Sequence, residues 1–77
     1  MKFMTHFFLA PQKPDSMPYC FSNPTGEFDS WQDVRRVAHA TADDQTHSIV
    51  IELLEPADQA AEERWVRDGD KWKREDA

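Results

Sequence analysis

Of the side chains that combine to hold zinc or to attack a carbonyl, the chain carries one cysteine, Cys20, and three histidines, His6, His39 and His47. None of them stand at the close paired spacings that bring two ligands onto one turn or hairpin, so no metal site is expected. A thiol nucleophile needs a base held against it in a shaped pocket. Cys20 has no histidine near it in sequence and reads as a small packing residue, while the histidines read as isolated surface or half-buried groups. The two glycines, Gly26 and Gly69, lie in turn contexts and not in a Gly-rich loop ahead of a helix, which excludes a phosphate cradle. Base, nucleophile and orienting group are nowhere found together, so neither a cofactor nor an enzyme is expected.

The chemistry that remains is electrostatic. Fifteen Asp and Glu oppose nine Lys and Arg, a formal net charge of -6, which repels nucleic acid and anionic membrane and favours basic surfaces. Glu52, Glu55, Asp58, Glu62 and Glu63 gather around one expected strand end, and Asp68 and Asp70 flank the last turn. Asp43 and Asp44, with Asp29 and Asp33, add acid around the expected helix. One reading is solvated charge. The other is a negative surface spaced like duplex phosphates, docking on grooves of Lys and Arg and shutting out their ligand. On that reading the contacts are Glu52, Glu55, Asp58, Glu62, Glu63, Asp68 and Asp70. The opposite signal is a local basic set, Arg64, Lys71, Lys73 and Arg74, which keeps a nucleic-acid-associated or antitoxin-like accessory role open. Trp65 and Trp72 could stack bases, but so short a chain has few other large side chains for a core, so packing is the preferred reading.

Residues 1–77 are expected to form a single domain, and one of this size buries only about 60% of the surface of its unfolded chain. With 39% hydrophobic residues, including five Phe and three Trp, it has enough apolar material for one thin core. A lone cysteine forms no internal disulfide, which fits a reducing, cytoplasmic compartment. The apolar run Phe7 to Ala10 is broken by Pro11, Lys13, Pro14 and Asp15 before a signal-peptide core could form. No stretch approaches the roughly 18 apolar residues of a membrane span.

The positioning elements follow from periodicity. Lys2 to Ala10 reads as a strand rich in aromatics, closed by a loop from Pro11 to Pro18. Met17 to Ser22 reads as a short second strand, antiparallel to the first, with Tyr19 and Phe21 opposite Cys20 and a turn from Asn23 to Gly26. Ser30 and Asp33 form a capping box. Behind it Trp31, Val34, Val37, Ala38 and Thr41 share one helical face, with Arg35, Arg36 and His39 on the others and the helix ending near Ala42. Asp43 and Asp44 belong to the exit loop, since the helix carboxyl end disfavours acid. His47 to Glu55 is a strand with Ile49, Ile51 and Leu53 on one face, stopped by Pro56. Ala57 to Glu63 could form one helical turn.

Arg64 to Arg74 reads as a hairpin on a type I′ turn at Asp68 and Gly69. That register pairs Trp65 with Trp72, Arg67 with Asp70 and Glu63 with Arg74, and turns the Trp face toward the helix. The expected fold class is α+β: one small domain, an antiparallel β-sheet of about four strands in ββαββ order, and one α-helix on one face with Trp31, Val34, Val37 and Ala38 in the core. The other sheet face is left open, and an edge beside the first strand could pair with a second copy.

In size, acidity and element order, with the capped helix Phe28 to Ala42 and the closing hairpin WVRDGDKW from Trp65 to Trp72, the chain resembles small phage-encoded anti-CRISPR proteins that inhibit type I CRISPR surveillance complexes. The resemblance implies inhibition by binding without chemistry. The partner would be the basic DNA-binding or PAM-reading surface of an effector subunit, with no direct nucleic-acid contact and no membrane. A monomer is favoured over an oligomer. No individual positions carry over from that family.

Overall fold

In the computed structural model, residues 1–9, 19–22, 26–59 and 61–75 are described. The proposed Pro11 to Pro18 loop, the start of the second strand at Met17 and most of the Asn23 to Gly26 turn lie outside them. The elements are β1 (Lys2–Leu9), β2 (Tyr19–Ser22), β3 (Gly26–Glu27), α1 (Trp31–Thr41), β4 (Thr46–Glu55), a 3-10 turn (Ala57–Gln59), β5 (Ala61–Asp68) and β6 (Lys71–Arg74). The sheet is antiparallel with strand order β2-β1-β4-β5-β6, and the two-residue β3 also pairs with β1. The α+β class is therefore as expected, with one helix laid on one sheet face. The strand count is higher than about four, because the terminal hairpin adds two strands after β4 and Gly26 pairs with Phe3 instead of ending in a turn. Strand β1 is interior, flanked by β4 on one side and by β2 and β3 on the other, so it offers no edge to a second copy.

Alternation builds the core. Phe3 and Phe7 on β1 and Ile49, Ile51 and Leu53 on β4 point to the helix side and are buried with Val34 and Ala38 of α1. Full burial of each large apolar side chain stabilises the fold by about 1.5–3 kcal/mol before conformational entropy is counted. Phe3 anchors one end, edge-on to Trp31 at 4.9 Å and to Phe28 at 6.0 Å between ring centroids.

The helix starts as its sequence demands: the Ser30 hydroxyl accepts from the Asp33 backbone N–H at 3.3 Å. It ends where Ala42 N–H donates to the Ala38 carbonyl and the Thr41 hydroxyl to that of Val37. Asp43 lies in the exit loop as expected, its Oδ1 accepting from Gln45 N–H at 2.9 Å and the Thr46 hydroxyl at 3.1 Å. Val37 is a correction. It is 47% exposed, because at 3.6 residues per turn it stands about 90° from the centre of the arc set by Trp31, Val34 and Ala38. The flank of α1 toward β5 and β6 is occupied instead by Arg35 and His39.

The terminal hairpin is also corrected. Asp68 pairs with Lys71, Arg67 with Trp72, Val66 with Lys73 and Trp65 with Arg74, so the turn residues are Gly69 and Asp70. Gly69 has φ +66° and no other described non-glycine residue has a positive φ. That is the type II′ pattern, with glycine at the first central position, and not type I′. The pairing slips by two residues, which preserves faces. Trp65 and Trp72 still lie together on the helix side, now diagonal neighbours packed against the core. Strand β5 reaches back to Ala61, so the expected helical turn shrinks to Ala57–Gln59, after the cis Glu55–Pro56 peptide bond.

Candidate protein-docking surface

Strands β4 and β5 decide where the acids go. Glu52 faces Glu62 directly across the ladder, on the sheet side away from the helix. Glu55 ends β4 and Asp58 lies in the following 3-10 turn, both exposed. These four carboxylates therefore share one end of the molecule. Basic side chains accompany three of them: His6 Nε2 lies 3.4 Å from Glu52, Lys2 Nζ 3.7 Å from Glu55 and Arg64 Nη2 3.4 Å from Glu62. The His6 ring is fixed from its other side by a 2.6 Å hydrogen bond between Nδ1 and the Ser22 hydroxyl. Like charges directly opposed on a ladder destabilise a sheet, so the Glu52 and Glu62 pair costs the fold something in return for surface potential.

Asp68 and Asp70 do not join them. They sit at the far end of β5, about 20 Å from Glu62 at strand rise, on the side of Asp43 and Asp44. The Arg67 side chain ties that end together, donating to the backbone carbonyls of Thr46 at 2.8 Å and Asp43 at 2.6 Å.

Glu63 is a further correction, since it is only 3% exposed and presents no surface. Period two turns it to the helix side. There Arg35 grips both carboxylate oxygens, Nε donating to Oε1 at 2.8 Å and Nη2 to Oε2. Trp65 Nε1 donates to Oε1 at 3.0 Å, and Arg74 Nη1 stands 3.6 Å from Oε2. Burial pushes the Glu63 carboxyl up, but the hydrogen bonds from Arg35 and Trp65 and the charges of Arg35 and Arg74 outweigh it and hold the group below the ordinary glutamate range. The ion pair expected between Glu63 and Arg74 thus exists, across a diagonal and not directly opposite.

Beside this carboxylate, the His39 ring stacks on Trp72 at 5.6 Å and meets Trp65 edge-on at 4.9 Å, and Arg67 covers the Trp72 ring at 4.5 Å. Burial and the neighbouring Arg35 charge lower the His39 pKa, against the opposing charge of Glu63. Its Nε2 is buried without a hydrogen-bond partner among the described residues. The sequence reading missed this cluster. Its signal was the four-residue spacing of Trp31, Arg35 and His39, which puts all three on one side of a helix.

The basic set of the hairpin is divided. Arg74 is committed to Glu63 on the helix side, while Arg64, Lys71 and Lys73 lie on the open face. Cys20, expected to pack, is exposed on β2. Among the described residues no group of three or more His, Cys, Asp or Glu could hold a metal ion, and no helix is long and apolar enough to cross a membrane. Comparison with protein families, with curated proteins and with solved structures found no match.

Proposed function

We propose that the protein is a non-enzymatic, phage-derived inhibitor acting in the cytoplasm of a bacterial host. It docks its acidic end on the basic DNA-binding surface of a type I CRISPR effector complex and keeps target DNA from PAM recognition. The observation that carries this reading is the gathering of Glu52, Glu55, Asp58 and Glu62 at one end of the sheet, with Glu55 and Asp58 exposed. Carboxylates on a ladder and its connecting turn are held by backbone pairing, so they meet a row of Lys and Arg with little ordering cost. Opposed fields also speed encounter and make it salt-dependent. Glu63 belongs to the scaffold of this surface, and Asp68 and Asp70 form a separate acidic corner.

The test reverses charge at two exposed positions of that end, one of which, Glu55, also gives up its ion pair with Lys2. Glu55→Lys with Asp58→Lys, both exposed, is expected to weaken binding to the purified effector complex by at least about tenfold, a loss of about 1.4 kcal/mol. The same reversal at Asp68 and Asp70 is expected to do much less. Equal effects at the two ends, or none at either, would refute the assignment of this surface.

A further inference from the structure

Val37 of α1 stands outside the core, and it is not alone. Among the described residues, the large hydrophobic side chains left exposed are Met1, at 37%, and Val37, at 47%. Hydrophobic side chains scattered singly over a surface are ordinary. These two, however, border the same cleft of about 380 Å³, together with the half-buried Phe28. Backbone bonding sets up this floor. Phe28 N–H donates to the Met1 carbonyl at 2.9 Å and the N-terminal ammonium to the Phe28 carbonyl at 3.0 Å, which holds Met1 beside Phe28.

The rim of the cleft is acidic. Glu27, Asp29 and Asp33 meet two cations there: Arg36, whose Nη2 lies 3.6 Å from Asp33, and the N-terminal ammonium, 3.4 Å from Glu27. Glu27 and Arg36 are exposed, so these pairs hold their members weakly. Asp29 is exposed and has no ion-pair partner among the described residues. Three carboxylates against two cations leave the rim negative. The cleft also continues into the acidic docking end. In the ladder Lys2 pairs with Glu27 on one side and Glu55 on the other, which sets those two positions about 10 Å apart at strand spacing. Met1, Lys2, Glu27, Glu55 and Pro56 border a second, adjoining depression.

We infer that this cleft seats one apolar side chain of a basic protein segment that carries Lys or Arg on either side of it, one cation meeting Asp29 and the other Glu27 and Glu55. The basic character of this partner rests on the docking proposed above, and what the cleft adds is its anchor. Complementary charge speeds encounter and selects the partner more than it tightens the complex. Affinity comes from a few side chains buried in pockets near the centre of an interface, inside a polar rim. The carboxylates of the acidic end supply charge alone, whereas the cleft joins an apolar floor to an acidic rim. Its volume is at the small end of ligand pockets, about 300–1,000 Å³, which suits one side chain and not a whole helix. The carboxylate rim repels nucleic acid, and a second copy of this chain, with net charge -6, meets it with like charge.

Two synthetic peptides, used in backbone-amide NMR titrations of the full chain, test the cleft. One has a leucine between two pairs of arginines, and the other has a serine in the leucine's place. The leucine peptide is expected to shift the amides of Phe28, Asp29 and Val37 and to bind at least about tenfold more tightly than the serine peptide. Val37→Gln, at an exposed helical position, is expected to remove that difference, whereas Asp29→Asn weakens both peptides alike. Equal binding of the two peptides, or shifts confined to the surroundings of Glu52 and Glu62, overturns the proposal. A purified type I effector complex separates the cleft from the docking proposal. Val37→Gln is expected to weaken binding to that complex by at least about tenfold. A complex that binds the unaltered protein and Val37→Gln equally overturns the cleft and leaves docking by the acidic end standing. A complex that binds neither sinks the docking proposal, and the cleft then stands or falls on the peptides.

Discussion

Replacing Glu63 with glutamine leaves Arg35 and Arg74 facing a neutral amide in a site closed by Trp65, and helix, central strands and hairpin lose their common anchor. Removing one partner of a buried ion pair costs about 3–5 kcal/mol, and Arg35 is partly exposed, so a loss of about 3 kcal/mol is expected for Glu63→Gln in urea denaturation. A change below about 1 kcal/mol would mean that the pair is dispensable. Acid weakens the same cluster in two steps. The folded state depresses the His39 pKa, so its contribution is full above the ordinary value near 6.5 and falls as the pH drops toward the lower folded value. Glu63, also depressed, contributes above its ordinary value near 4.5 and is lost as pH falls through its lower folded value. The first step has a slope of at most about 1.4 kcal/mol per pH unit. His39→Phe, which keeps a ring between the two tryptophans, is expected to abolish the fall between pH 7 and pH 5. A slope that survives this change would place its source elsewhere.

Among the elements, the hairpin gives the sharpest prediction. A Cβ built on Gly69 meets nothing within 4 Å, so any cost of Gly69→Ala comes from the backbone at φ +66°. That cost is about 1–2 kcal/mol, read as a lower melting temperature with the Trp65 and Trp72 fluorescence of the folded state unchanged. A neutral result would remove the strained turn from the account. The hairpin also shows what a sequence can reveal. Asp68, Gly69 and Asp70 announce a turn, but two turn types fit those residues, and a two-residue slip keeps every face, so alternation of Trp65 and Trp72 could not choose between registers. Strand β1 was legible from its β-favouring aromatics and β4 from Ile49, Ile51 and Leu53, which repeat at period two and are buried on one side. The helix start was legible from Ser30 and Asp33. Val37 was misplaced because hydrophobicity was read in place of position, and Glu63 because its partner Arg35 lies 28 residues away on another element. The acidic end was legible in Glu52, Glu55, Asp58 and Glu62, whose strand and turn bring them together, and not in Asp68 and Asp70, which chain reversal carries to the opposite end.

For the molecule as a whole, these placements produce a helix-covered core locked by Glu63 and an acidic end formed by β4, the 3-10 turn and β5. The core supplies rigidity, and the acidic end supplies the proposed contact with a basic DNA-binding surface. Long-range charge makes the docking step sensitive to salt, whereas the lock around Glu63, being buried, is screened much less. Occlusion of DNA is the central claim, and order of addition tests it most directly. A purified type I effector complex is incubated either with target DNA first or with this protein first, and binding of the second component is measured. The account predicts mutual exclusion: a complex already holding target DNA takes up none of the protein, and a complex holding the protein takes up no DNA. Simultaneous binding of both, or no binding of the protein to any such complex, would contradict it.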